Sequence, residues 1–287
     1  MLKQLFSRGQ KPPAVFKEGE RNPFLELYQQ GKDWAAQHKE EGRRIVISHG
    51  KVKLVGYYYS QGADRTVILV HGFGSSYLER LGNAKLYYNR GFNILTVICR
   101  GHGESGGLYR TLGYKDSEDI VCWANYLAHK EEQKQIILDG VSMGGAAVTA
   151  ASGSPNLPEQ VKGIVSDCSF TSIEDIIRFH LKKSMPLVPA FLLLPLMREI
   201  SWKKYGVSLN QNSPIEQVKH ARVPMLFIHG VDDTFVPYEM GRTLNMYCAS
   251  QSFLASVKGA GHGEACLADP EGYSEAIGKF LDDIIKE

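Results

Sequence analysis

The chain has 287 residues, 43% of them apolar and 22% charged, with a formal net charge of +2. That is enough apolar material for one large α/β domain with an insertion, and length alone does not call for two domains. With neither a basic stripe nor a basic tail, no nucleic-acid partner is expected. Residues 1–43 are polar and partly helical in pattern, with an apolar cluster at Phe24, Leu25 and Tyr28, and read as an N-terminal helical extension. No apolar stretch of signal-peptide length begins the chain, so no secretory signal is expected.

From about Arg44 the texture changes. Arg44–Ser48 and Val52–Tyr59 read as strands joined by the turn His49-Gly50-Lys51. Thr66–Val70 is a continuous apolar run, read as a buried strand that ends in His71-Gly72-Phe73-Gly74. A helix is predicted over Tyr77–Asn89, stopped by Gly91. Phe92–Ile98 is the next strand, followed by Arg100-Gly101-His102-Gly103-Glu104-Ser105, and Lys115–His129 is amphipathic at helical spacing. Gln135–Leu138 is a strand running into Gly140-Val141-Ser142-Met143-Gly144-Gly145, and the small-residue run Ala146–Ala151 reads as a helix packed closely on a sheet. Strands follow at Gly163–Ser166, Met225–Ile228 and Phe253–Val257, with a last helix through Tyr273–Ile285. Apolar strands that alternate with helices predict a mostly parallel sheet covered on both faces.

One stretch breaks the alternation. The segment between the strand at Gly163 and the strand at Met225 is too long for a plain connection. It is rich in proline and aromatic residues and reads as an inserted helical cap over roughly 171–213. Its apolar run Met185–Met197 contains three prolines and is too short to span a bilayer. Basic density beside it is limited to Lys182, Lys183 and Arg198, so no stable membrane insertion is expected. The five cysteines (Cys99, Cys122, Cys168, Cys248, Cys266) are scattered without C-x-x-C spacing, which argues against a disulfide framework or a zinc site and for a cytoplasmic location.

The chemistry is concentrated in three places. Gly140-x-Ser142-x-Gly144 between a strand and a helix forces a sharp turn that presents the serine hydroxyl, with a helix N-terminus favouring nearby negative charge. The hydroxyl needs a base. His262, in Gly259-Ala260-Gly261-His262-Gly263 after the last strand, has the right place in the order serine, acid, histidine, whereas His229 precedes the acid candidates. The imidazole in turn needs an orienting carboxylate. The pattern His229-Gly230-Val231-Asp232-Asp233-Thr234-Phe235-Val236-Pro237 selects Asp233, leaving Asp232 to solvent or a turn, with Asp167 at a strand end as the remaining alternative. Two backbone N–H groups are candidates for an oxyanion site: Met143, after the serine, and Phe73, in the glycine-rich loop. His71, His102 and Arg100 read as loop braces. No phosphate-binding loop, dinucleotide fingerprint or metal-ligand spacing is present, so neither cofactor nor metal is expected.

Taken in order, HGFG, RGHGES, GVSMGG, HGVDDTFVP and GAGHG resemble the motif series of the α/β-hydrolase superfamily across residues 44–287. Within it the chain is similar to uncharacterised bacterial hydrolases of the serine-aminopeptidase and Bem46-like esterase branch. One departure is Cys99, where many relatives carry aspartate, a position that is usually structural. The resemblance implies an α/β-hydrolase fold, a mostly parallel sheet with helices on both faces and an inserted cap, and a serine hydrolase with Ser142, His262 and Asp233 in the catalytic roles. It implies substrate only weakly. The leading expectation is a carboxylesterase acting on a small-molecule ester through an acyl-enzyme. An aminopeptidase or amidase, which would need a carboxylate such as Glu174, Asp175 or Glu199 to hold the substrate ammonium, and a thioesterase are the enzyme alternatives. A non-catalytic ligand-binding member of the fold is the remaining one.

Overall fold

The computed structural model describes residues 1–9 and 22–285. Eight strands form one sheet: β1 (Gly42–His49), β2 (Val52–Tyr59), β3 (Arg65–Val70), β4 (Asn93–Ile98), β5 (Gln135–Val141), β6 (Val161–Asp167), β7 (Met225–Gly230) and β8 (Ser252–Val257). Their spatial order is β1-β2-β4-β3-β5-β6-β7-β8. The pairs β1/β2 and β2/β4 are antiparallel and every other neighbouring pair is parallel. Parallel neighbours require crossovers, and helices supply them. The α-helices among the described residues are α1 (Leu2–Phe6), α2 (Pro23–Gln37), α3 (Tyr77–Leu81), α4 (Lys85–Tyr88), α5 (Asp116–Lys130), α6 (Met143–Ala151), α7 (Ile173–Ser184), α8 (Ala190–Ile200), α9 (Pro214–Gln217), α10 (Tyr238–Tyr247), α11 (Ala265–Ala268) and α12 (Pro270–Ile284).

Successive side chains of a strand point to opposite faces, so a fully covered strand is apolar throughout. On β3, Ile68 and Val70 enter one apolar layer and Val67 and Leu69 the other. The first layer holds Trp123 of α5 and Ala146 and Ala147 of α6; the second holds Tyr87 of α4 and Phe280 of α12. β1 is an edge strand, and most of its residues are exposed or half-buried, as a strand with one open side requires.

The fold class expected from the sequence is the one found, with differences in detail. The single helix predicted over Tyr77–Asn89 is two short ones. Between them the N–H groups of Gly82, Asn83 and Ala84 donate to carbonyls three residues back, at 3.0–3.2 Å, so the chain tightens into turns there. The apolar cluster of the N-terminal region is also used differently. α2 buries Leu27 and Trp34, while Leu25 and Tyr28 face solvent. Gly31 lies on the same stripe, and a Cβ there would sit 1.7 Å from the Leu78 carbonyl oxygen, so α2 rests directly on the backbone of α3. The inserted cap is α7, α8 and a π-helical turn at Ser201–Tyr205. Among the described residues, no helix is long and apolar enough to cross a membrane.

Candidate active site

The turn after β5 is under a constraint that the sequence pattern anticipates. A Cβ on Gly140 would lie 2.2 Å from the Gly144 carbonyl oxygen, and one on Gly144 would lie 2.3 Å from that of Val70. Both positions therefore exclude any side chain. Between them Ser142 adopts φ 55°, ψ −114°, a sparsely populated conformation held by its surroundings. Its N–H donates to the Asp167 carbonyl at 2.8 Å, and its own carbonyl accepts from Ala146 N–H at 2.9 Å. The hydroxyl is thus set at the end of the sheet, at the N-terminus of α6.

Three loops at the carboxyl ends of β5, β7 and β8 converge here. His262 Nε2 lies 2.9 Å from Ser142 Oγ, and His262 Nδ1 lies 2.7 Å from Asp233 Oδ2. The other oxygen, Asp233 Oδ1, accepts the Phe235 and Val236 N–H groups, each at 2.8 Å. A carboxylate facing Nδ1 fixes the proton on that nitrogen and leaves Nε2 to accept from the serine hydroxyl. Burial opposes charge on Asp233, but the His262 and His229 imidazoles and its hydrogen bonds outweigh it and hold the carboxyl well below the usual carboxylate range. All three side chains are buried.

The neighbours fall into supporting places. Asp232 accepts the Gly259 N–H at 2.9 Å and so pins the loop that carries His262. His229 Nε2 donates to the Val236 carbonyl at 3.0 Å, bracing the loop after Asp233. The Asp167 carboxyl is turned away from His262: it accepts from Tyr273 Oη at 3.1 Å. Burial pushes it up to about 6, with Arg80 opposing. Arg80 itself pairs with buried Asp139 at 2.8 Å, beneath the turn.

The glycine-rich loop after β3 lies against the serine, and a Cβ on Gly72 would be 3.5 Å from that of Ser142. His71 Nδ1 donates to the Gly72 carbonyl at 2.7 Å, while Nε2 accepts the Cys99 N–H at 3.0 Å. Burial lowers this imidazole to about 3, which keeps it in the neutral form that both bonds need. His102 is lowered to about 4 by burial, and its Nε2 accepts the Gly74 N–H at 3.3 Å. Arg100 is paired with Asp119. Among the described residues, no hydrogen bond occupies the N–H of Phe73 or Met143. No cluster of His, Cys, Asp and Glu able to hold a metal ion occurs among them either.

A cavity of about 260 Å³ opens at Ser142. Its walls include Phe73, Leu112, Phe170, Ile176, Ile177 and Phe235. Sequence reading singled out none of Gln4, Leu5 and His180, yet all three line it. The Phe235 ring stands between two imidazoles, 4.8 Å from His180 and 5.0 Å from His262. α1 is held in place by Phe6, which is fully buried 5.1 Å from Tyr205, and by the Arg110 N–H, which donates to the Phe6 carbonyl at 2.8 Å. Arg8 then donates to the carbonyls of Gly103, Ser105 and Gly107, so the RGHGES loop anchors the N-terminal segment. Phe24, at the start of α2, lies on the other side, its ring 6.5 Å from His262. The sequence signal for these contacts is limited to the apolar cluster at Phe24, Leu25 and Tyr28, which says nothing of where the segment docks.

Residues 61–204 match the family described as serine aminopeptidase, S33. The chain belongs to that family, within the α/β-hydrolase superfamily. It is a serine hydrolase of this fold. The match takes in Ser142 and stops short of Asp233 and His262. Among curated proteins the chain is 24% identical over 250 residues to the uncharacterised protein YqkD of Bacillus subtilis, covering 86% of this chain and 81% of that one. It is 30% identical over 161 residues to the multifunctional-autoprocessing repeats-in-toxin of Vibrio cholerae, half of this chain but 3% of the toxin. Among solved structures, the Pyrococcus furiosus esterase Pf2001 superposes with a TM-score of 0.70 at 22% identity, covering 96% of this chain and all of the other. That likeness is one of fold.

Proposed function

We propose that the chain is a carboxylic-ester hydrolase that acts through an acyl-enzyme on small to medium acyl or aromatic esters. The observation that carries this reading is the cavity at Ser142, whose lining among the described residues is apolar apart from Gln4, His180 and the serine itself, and includes no carboxylate. In it Ser142 Oγ attacks the ester carbonyl carbon while His262 Nε2 takes the hydroxyl proton. The Phe73 and Met143 N–H groups receive the negative charge on the former carbonyl oxygen. Collapse breaks the bond to the leaving alkoxide, which takes the proton from His262. Water then adds to the acyl-serine by the same route, releasing the acid. Asp233 holds the imidazole in the required tautomer throughout.

The same lining weighs against an aminopeptidase or amidase that grips a substrate ammonium. Each carboxylate that the cap could offer is already engaged. Glu174 pairs with both Arg178 and Arg198, Asp175 accepts from Thr171 Oγ1, and Glu199 pairs with Lys203. We also infer a reducing, cytoplasmic setting, a reading supported by five free cysteines.

A p-nitrophenyl ester series of increasing acyl length, run beside aminoacyl-naphthylamides, tests the proposal. Ester turnover with a maximum at short or medium chains, together with an acyl adduct at Ser142 by mass spectrometry, is expected. Turnover of the naphthylamides alone would overturn it.

A further inference from the structure

The first eight residues of α8, Ala190–Met197, are all apolar. Ala190, Leu194 and Met197 face the core, yet Phe191, Leu192 and Leu196 face outward, with Phe191 67% exposed. The turn before the helix adds Leu187, 95% exposed, and the π-helical turn after it adds exposed Trp202. A helix that is hydrophobic all round is normally covered on all sides, and scattered single apolar residues would need no such explanation. At helical spacing Phe191, Leu192 and Leu196 lie together on the side of α8 turned away from Ala190, Leu194 and Met197.

The charges around this surface say what covers it. Lys182 and Lys183 end α7 on one side, and Lys203 and Lys204 stand beside Trp202 on the other; all four are exposed. Between residues 182 and 204 the only acidic residue is Glu199, which pairs with Lys203. Arg198 is committed to Glu174 at the base of the cap. An apolar face with an outward tryptophan and flanking lysines matches the boundary of an anionic lipid layer, where acyl chains meet negative headgroups. A second copy of the chain fits badly. In a twofold contact the patch would face itself, and its lysines would oppose lysines with one carboxylate to offset them.

We infer that the cap is a reversible docking surface for anionic membranes, with Leu187, Phe191, Leu192, Leu196 and Trp202 entering the headgroup boundary and the four lysines meeting its charge. This is adsorption to the surface, and no segment spans the bilayer. α7 packs against α8 and contributes Ile176, Ile177 and His180 to the cavity wall, so docking through α8 would bring the cavity near the lipid boundary. The inference does not depend on which ester is hydrolysed.

The test is co-sedimentation of the whole protein with vesicles of phosphatidylcholine containing about 30% phosphatidylglycerol, beside vesicles of phosphatidylcholine alone. Binding to the anionic vesicles is expected, weakened by salt and lowered at least about tenfold by the pair L187D/F191D and by the pair K182E/K183E. Both pairs should keep full turnover of a short soluble ester, which shows that the fold is intact. No binding to either vesicle would overturn the inference, as would binding that both pairs leave unchanged. A wild-type dimer that L187D/F191D dissociates, with no vesicle binding, would assign the patch to a second copy instead.

Discussion

The Ser142 N–H donates to the carbonyl of Asp167 across 2.8 Å, while the Asp167 carboxyl turns the other way, to Tyr273. One residue thereby holds the serine's backbone without reaching the imidazole. Asp233 and Asp167, two of the three carboxylates offered by the sequence, are consequently separable by experiment. Asp233→Asn is expected to lower kcat/KM for a p-nitrophenyl ester by about 10³–10⁴, and Asp167→Asn by less than about tenfold. Steady-state kinetics on both variants, with thermal denaturation as the check on folding, decides it. A larger loss for Asp167→Asn in a folded protein would reverse the assignment.

The turn itself leaves no room. Gly144→Ala places a methyl group 2.3 Å from the Val70 carbonyl oxygen, so the backbone of β3 or α6 must move. A destabilisation of about 2–3 kcal/mol is expected in urea titration, with activity falling further than the loss of folded protein accounts for, because the oxyanion N–H groups shift with the turn. A variant of unchanged midpoint and activity would show that the contact is relieved at no cost.

The depressed Asp233 carboxyl fixes the form of the acid limb of the pH profile. Burial opposes its charge, but its imidazole neighbours and hydrogen bonds prevail, so it remains ionised well below the ordinary carboxylate range. Its contribution to stability is present above the unfolded carboxylate value and is lost only as pH falls through the depressed one. Between pH 8 and 5, Asp233 should therefore add no ionisation to the acid limb, and log kcat/KM should fall with a slope no steeper than one. A slope of two in that window would mean that Asp233 gains its proton there as well.

Phe6 is the only fully buried side chain of α1. Removing its ring costs about 3–5 kcal/mol, more than a helix of this length can supply from its remaining contacts. Phe6→Ala is expected to release α1 locally, raising hydrogen exchange in the first residues while the sheet stays protected. With Leu5 and Gln4 withdrawn from the cavity wall, turnover of octanoyl relative to butyryl esters should rise. An unchanged ratio would remove α1 from any part in chain-length selection.

Much of this architecture is written locally. β3 carries the apolar run Val67–Val70 and β5 the run Ile136–Leu138 because both their faces are covered, and such runs stand out in any sequence. The order of Ser142, Asp233 and His262 is equally plain, since glycines flank Ser142 and His262 and Gly230 precedes Asp233, and tight turns need them. What escaped local reading depends on contacts between distant segments. Leu5, Ile177, His180 and Phe235 share a cavity although nothing in their own neighbourhoods marks them as partners. The helical spacing after Tyr77 looked continuous, yet the chain tightens at Gly82 where α2 rests on it. In the N-terminal region Leu25 and Tyr28 are as apolar as Leu27, and only the position of α3 decides which of them is buried.

The strand order carries a consequence for how the molecule comes to life. Ser142 leaves a strand in the interior of the sheet, whereas His262 follows β8, an edge strand and the last of the eight in chain order. Until β8 has paired with β7, the hydroxyl has no base within reach. A nascent or partly refolded chain therefore holds its nucleophile disarmed, and ester turnover switches on with the final strand pairing. In a refolding experiment, enzymatic activity would lag behind the recovery of secondary structure and time the closing of the sheet.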